Sequence, residues 1–196
     1  MNIFKALGGF LKKDTDKNSP EKVQTAFNVL PDDKLVVYAG NPDKKSKTAE
    51  TLIDAIVKLS DIVDNLKCAI ISGGKNIGEI AIKANESLDK EIIYIFDDNA
   101  SDIVCASKLF VGEGSAAKDA MRAKKAVILA GDGGYIGIFD ESKKEMCIST
   151  DFICKNETKP DSQKLAQDIG EFFGLWDDEQ EQFGIFAHQV ITELEK

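Results

Sequence analysis

From residue 34 onward, short runs of apolar residues alternate with longer segments in which apolar residues recur at helical spacing. The runs are apolar throughout rather than at every second position, which is typical of parallel strands buried on both faces. They predict five strands, over residues 35–39, 68–71, 92–96, 108–111 and 126–130. Helices between such strands cover the two faces of the sheet, so the pattern predicts a doubly wound, mostly parallel α/β domain.

The helical segments follow a period of 3.6 residues. In the first of them, Leu52, Ile53 and Ile56 share one side with Val63, and Thr48 is the predicted N-cap. Further helices are predicted at about residues 78–88, 115–124, 162–173 and 178–194.

The stretch over residues 135–150 has two interpretations. Residues 135–139 and 145–150 flank a polar segment, which predicts a hairpin at the edge of the sheet. The alternative is a helix that begins near Gly137.

The chain divides into four parts. Residues 1–13 carry an apolar stripe with three lysines around it and predict an amphipathic helix, which we expect to dock on its own domain or on a partner. Contact with a membrane surface is the weaker alternative. Residues 14–33 predict a linker and a short helix, residues 34–160 a Rossmann-like α/β domain, and residues 161–196 two acidic C-terminal helices packed on it.

The net charge of −9 argues against nucleic acid as a partner, because binding to phosphate backbones depends on an excess of Lys and Arg. Much of that charge is concentrated in residues 161–196, which hold nine acidic residues and two lysines. Solvated helical faces explain this block better than an acidic partner-binding surface does. No apolar run approaches the roughly 18 residues that cross a bilayer.

The four cysteines form no C-x-x-C pair, and His188 is the single histidine of the chain. Zinc sites need clustered Cys and His, so no metal site is expected. Cys68 and Cys105 are predicted to be buried as small apolar side chains. Thiols without a pairing pattern, together with the lack of a secretory signal, predict a cytoplasmic protein.

Two glycine loops each follow an apolar run. The first comprises Ser72, Gly73, Gly74, Lys75 and Gly78, and the second includes Gly133 and Gly134. Glycine lets backbone N–H groups approach a phosphate or a ribose closely, although a structural turn is the simpler explanation of any one loop.

In an open α/β sheet the carboxyl ends of the strands converge on one crevice, where ligands bind. Asp97 ends the third strand, where an acidic side chain grips ribose hydroxyls in dinucleotide folds, and Ser115 lies at a predicted helix start. The segments 111–115 and 131–134 reach the same crevice. The predicted ligand-binding residues here are Gly40, Asn41, Ser72, Gly73, Gly74, Lys75, Gly78, Asp97, Ser115, Gly133 and Gly134.

The first loop with its Ala-rich helix, and the segment from Met121 to Gly134, resemble the SLOG superfamily. That group includes the cytokinin-activating, "lysine-decarboxylase-like" phosphoribohydrolases and the Rossmann-like domain of DNA-processing proteins. The resemblance implies a nucleoside monophosphate ligand, Lys118 among the ligand-binding residues, Glu141 as a catalytic residue, and a homodimer. Ala117 stands where the family has its catalytic arginine, and that difference favours binding over catalysis.

Three functions remain open at this stage. The leading one is binding or sensing of a nucleotide-related small molecule. The second is hydrolysis of the N-glycosidic bond of a nucleoside monophosphate, with Glu141 as acid–base group and Asp97 on the ribose. The third is a non-catalytic scaffold that holds a partner through its terminal helices.

Overall fold

The computed structural model describes residues 29–30, 32–40, 46–72, 74, 76–96, 100–155 and 158–196. They form one six-stranded sheet in the order β3-β2-β1-β4-β5-β6, in which β1 to β5 are parallel and β6 is antiparallel to β5. The strands are β1 Lys34–Ala39, β2 Leu66–Ile71, β3 Ile93–Phe96, β4 Leu109–Gly112, β5 Ala126–Gly131 and β6 Gly134–Ile138. The five predicted parallel strands are thereby confirmed.

Seven helices in the described part of the chain cover the sheet, and two buried apolar clusters show which face each one packs on. One face carries α1 Lys47–Leu59, α2 Ile77–Leu88 and α6 Ser162–Gly174. The other carries α3 Ala100–Ala106, α4 Gly114–Arg122, α5 Lys144–Ser149 and α7 Asp177–Leu194. The predicted doubly wound, Rossmann-like α/β fold is correct, including its two C-terminal helices.

The central strands are apolar at every position because both of their faces are covered. In β1, Val36 and Tyr38 face the α1 side, whereas Leu35 and Val37 face the α4 side, and all four are buried. This burial on both sides explains why a continuous apolar run, rather than an alternating one, marks a strand here.

The predicted hairpin over residues 135–150 is half right. Its first strand is β6, but its second half is a 3₁₀ turn, Glu141–Lys143, that leads into helix α5. Asp140 caps this turn by accepting the N–H of Ser142 at 3.0 Å, and Cys147 anchors α5 in the core. A capped turn redirects the chain away from the sheet, so the described residues after β6 add no further strand to it.

Two further sequence predictions are wrong. The N-cap of α1 is Ser46, whose Oγ accepts the N–H of Ala49 at 3.2 Å, while Thr48 is a buried residue of the first turn. Cys105 lies on the unanticipated helix α3 and is exposed, although Cys68 is buried as expected.

The predicted amphipathic helix at residues 1–13 and most of the linker that follows lie outside the described residues. Within the described ranges, no helix has the length and apolar character needed to cross a bilayer. The same ranges hold no cluster of His, Cys, Asp and Glu suited to a metal ion.

Candidate functional site

A cavity of about 360 Å³ opens at the carboxyl edge of the sheet, between the ends of β1 and β4. From this point the strand order runs outward in both directions, since β1 continues to β2 and β4 continues to β5. Ligands of open α/β sheets bind at such a topological switch point. The lining comprises Tyr38, Ala39, Gly40, Ser46, Gly112, Glu113, Ser115, Ala116, Ala130, Gly131 and Asp132.

Glu113 presents its carboxylate to the cavity from the N-cap position of α4. It does not cap its own helix; instead its Oε2 accepts the backbone N–H of Cys154 at 2.7 Å. Gly131 lies directly against the carboxyl group, and a Cβ at that position would overlap the Glu113 carboxyl carbon and oxygens. Burial, with the charge of Glu113 beside it, raises the pKa of the Cys154 thiol to about 12, so the thiol stays protonated. The glycine and the cysteine together fix where the carboxylate lies.

Asp132 joins the β5–β6 turn to the start of α1. Its Oδ1 accepts the N–H of Thr48 at 3.0 Å and the Thr48 hydroxyl at 2.9 Å, with the Ser46 hydroxyl at 3.4 Å. A carboxylate at a helix N-terminus also interacts favourably with the helix dipole. Asp132 therefore fixes one wall of the cavity while remaining part of its lining.

Tyr38 projects from the end of β1, and its hydroxyl lies 2.7 Å from Ser46 Oγ. Burial raises the pKa of Tyr38, and the charges of Asp132 and Glu113 raise it further, which outweighs the opposite effect of the Ser46 hydrogen bond. Gly40 leaves room for this ring, because a Cβ there would lie 2.8 Å from the Tyr38 hydroxyl and 3.1 Å from the Ser72 carbonyl oxygen. The phenol is accordingly neutral and bordered by two carboxylates.

The first turn of α4 supplies hydrogen-bond donors to the same cavity. The N–H of Gly114 donates to the Phe152 carbonyl at 2.8 Å. The N–H groups of Ser115 and Ala116 lie in the first turn of the helix, where backbone N–H groups have no acceptor within the helix. The lining thus combines carboxylate acceptors with backbone and hydroxyl donors.

Two of the residues predicted from sequence, Gly40 and Ser115, line this cavity. The predicted residues Asn41, Gly73, Lys75 and Asp97 lie outside the described residues, and Asn41 directly follows Gly40 in the chain.

The described residues of the first glycine loop lie beyond the end of β2, beside the cavity rather than in its lining. Ser72 has a φ of 52° and Gly74 a φ of 90°, and the N–H of Ser72 donates to the Phe96 carbonyl at 2.8 Å. A Cβ on Gly78 would have nothing within 4 Å, so the described packing does not require glycine there.

The glycines of the second glycine loop contact other backbone segments of the chain. A Cβ on Gly133 would lie 2.6 Å from the carbonyl oxygen of Cys154, and Gly134 begins β6 opposite Gly131. Lys118 is not among the described lining residues of the cavity, and its Nζ pairs with Asp151 Oδ1 at 2.9 Å.

Glu141 lies near the amino ends of the parallel strands, whereas the cavity lies at their carboxyl ends. Because β6 is antiparallel to β5, the chain returns toward the amino end of β5, where Phe139 N–H donates to the Val127 carbonyl. Glu141 follows two residues later, so it cannot act on a ligand in this cavity. Ala117, at the position of the family's arginine, is fully buried.

Tyr38 and Ser46 are not among the residues predicted at this crevice, and the segments that contain Glu113 and Asp132 are predicted there without a contact assigned to either carboxylate. The available signal was positional, since Tyr38 is the penultimate residue of β1 and Glu113 immediately follows β4. Asp132 also replaces the proline of the family's P-G-G segment.

A scan against protein-family models finds no match, and a search of curated proteins finds none either. Solved structures do match. A glycosyltransferase from Rickettsia africae aligns over 93% of this chain with a TM-score of 0.63 and 17% identity, and the alignment covers 48% of that protein. The C-terminal domain of the group 1 glycosyltransferase LpcC from Francisella tularensis aligns over 93% of this chain and 94% of that domain, with a TM-score of 0.60 and 15% identity.

A protein from Anabaena in complex with UDP and glucose matches 89% of this chain with a TM-score of 0.61 and 14% identity, over 47% of its own length. The chain thus spans about half of the Rickettsia and Anabaena proteins. At these identities the likeness establishes the Rossmann-like fold. These neighbours are glycosyltransferases and a UDP complex, so the expected SLOG resemblance is supported only at the level of a Rossmann-like architecture.

Proposed function

We propose that this protein binds a nucleotide-related small molecule in the cavity between β1 and β4. The observation that carries the proposal is the placement of Glu113 and the first turn of α4 around a cavity at the topological switch point. Its volume of about 360 Å³ falls within the roughly 300–1,000 Å³ of small-molecule sites. Its lining offers both acceptors and donors, which orient a polar ligand.

The structural neighbours support the same class of ligand. The Anabaena protein is in complex with UDP and glucose, and TarM from S. aureus is in complex with UDP among other ligands. We therefore take UDP as the first probe.

The geometry does not favour the phosphoribohydrolase alternative. Glu141 is at the far edge of the sheet, and Ala117 is buried where the reaction would need an arginine. Arg122 cannot substitute, because its Nε donates to Glu195 at 2.8 Å and its other nitrogens contact Asp119 and Glu195.

The proposal is tested by thermal unfolding with UDP, UDP-glucose, UMP and AMP. A ligand at a hundred times its Kd stabilises the native state by about 2.7 kcal/mol. That corresponds to a rise in Tm of roughly 5–11 °C for a chain of this size. At least one of the uridine nucleotides is expected to produce such a rise.

A matched pair of variants localises the effect. Ser115→Trp fills the mouth of the cavity and is expected to abolish the rise in Tm, whereas Ser87→Trp places the same side chain on the exposed end of α2 and should preserve it. The proposal fails if no nucleotide shifts the Tm, or if Ser115→Trp shifts as the wild type does.

A further inference from the structure

The two charged side chains in the described lining of the cavity are both acidic. Among the described lining residues, Glu113 and Asp132 are the charged side chains, and no described lysine, arginine or histidine pairs with either. Both charges act on the Tyr38 hydroxyl, whose pKa they raise together with burial. The two carboxylates therefore act together on one hydroxyl group of the described lining.

Each carboxylate is held by contacts that leave it able to accept further hydrogen bonds. Glu113 uses Oε2 for the Cys154 N–H, and Asp132 uses Oδ1 for Thr48 and Ser46. An ionised carboxylate has about four acceptor positions, so these bonds leave several open. The open positions border the space that a ligand would fill.

The first turn of α4, which directly follows Glu113, adds N–H groups and the Ser115 hydroxyl to the same lining as donors. A phosphate oxygen can only accept hydrogen bonds from such a lining, and two carboxylates repel its charge. An ammonium group can only donate. A hydroxyl group both donates and accepts, and so it matches the whole set.

We infer that the cavity holds the neutral, hydroxyl-bearing part of the ligand, such as a ribose or a sugar, and that the phosphate groups lie outside the cavity. Glu113 is the residue that selects this hydroxyl-bearing part. This inference rests on the proposed function, because it assumes that the ligand occupies this cavity. It assigns Glu113 the role of hydrogen-bond acceptor for ligand hydroxyls.

Titration calorimetry with uridine, UDP and inorganic phosphate tests the inference. For the wild type, we expect uridine to bind and to compete with UDP, and inorganic phosphate not to displace uridine. Glu113→Gln keeps the size of the side chain and an oxygen for the Cys154 N–H but removes the charge, and it should weaken uridine binding about tenfold.

Glu141→Gln makes the same change of charge at the opposite edge of the sheet and should leave the uridine affinity unchanged. If Glu113→Gln fails to fold, Asp132→Asn is the second variant; it keeps Oδ1 for Thr48 and should weaken uridine binding severalfold.

The outcomes separate the two proposals. UDP binding without competition by uridine, displacement of uridine by phosphate, or an unchanged affinity in Glu113→Gln would overturn the inference and leave the proposed function standing. If neither UDP nor uridine binds the wild type, the inference is wrong, and thermal unfolding with UDP-glucose, UMP and AMP then decides the proposed function.

Discussion

Replacing Gly131 by alanine tests directly how the Glu113 carboxylate is held. Gly131 ends β5 beneath that carboxylate, and the added Cβ would overlap the carboxyl carbon and its oxygens. Carbon atoms in contact lie about 3.5–4.0 Å apart, so the carboxylate must move by roughly 1.5–2 Å. A movement of this size breaks the 2.7 Å hydrogen bond from Cys154.

The cost follows from that bond. A hydrogen bond to a charged group contributes about 1.5–3 kcal/mol, and the N–H of the buried Cys154 loses its acceptor. We expect Gly131→Ala to lower the free energy of unfolding by about 1.5–3 kcal/mol. Urea unfolding followed by circular dichroism measures it, since the single tryptophan, Trp176, is already exposed in the native state and reports unfolding poorly.

Two controls make the reasoning refutable. Gly78→Ala puts a methyl group into open space on α2 and should stabilise the protein by about 0.5–1 kcal/mol. In a Glu113→Ala background the obstruction is gone, so Gly131→Ala should then cost less than about 0.5 kcal/mol. A full cost in that background would show that the alanine perturbs β5 itself, and the account of Glu113 would be refuted.

Two further predictions concern the α7 packing and the thiols. Gly184→Ala sets a Cβ 2.9 Å from the carbonyl carbon of Lys124 and closer still to its oxygen. Because this backbone cannot rotate away, α7 must shift, and urea unfolding should show a loss of about 1–3 kcal/mol. Gly174→Ala on α6 has open space around it and should be neutral or stabilise the protein by up to about 1 kcal/mol, so equal losses in the two variants would contradict this packing. Of the four thiols, only the exposed Cys105 should react rapidly with Ellman's reagent in the native protein at neutral pH, and the other three should react after denaturation; a second fast thiol in the native state would contradict the burial.

The sheet was predictable because the signal for it is local. A strand buried on both faces is a continuous apolar run, and the five parallel strands were read from such runs to within about two residues. Helix α3 was missed because it has seven residues and carries Ile103 and Val104, β-branched residues that are common in strands.

The site was harder to predict because long-range contacts build it. Asp132 accepts a hydrogen bond from the backbone N–H of Thr48, at the start of α1 and 84 residues away in the chain. Glu113 accepts one from the N–H of Cys154, which is 41 residues away. The position of Glu141 could not be predicted by aligning glycines, which gives no strand direction, whereas the antiparallel β6 carries the chain back to the amino end of β5. Gly40 and Ser115 could be predicted to lie near one another because Gly40 follows β1 and Ser115 starts the helix after β4, and the carboxyl ends of these two strands meet at the switch point.

The most direct test of the central claim is a crystal structure of the protein saturated with UDP. The account predicts electron density in the cavity between Gly40, Glu113 and Asp132, with a ligand hydroxyl within about 3.0 Å of the Glu113 carboxylate. An empty cavity, with the nucleotide bound only at the turn after β2 or elsewhere on the surface, would contradict it.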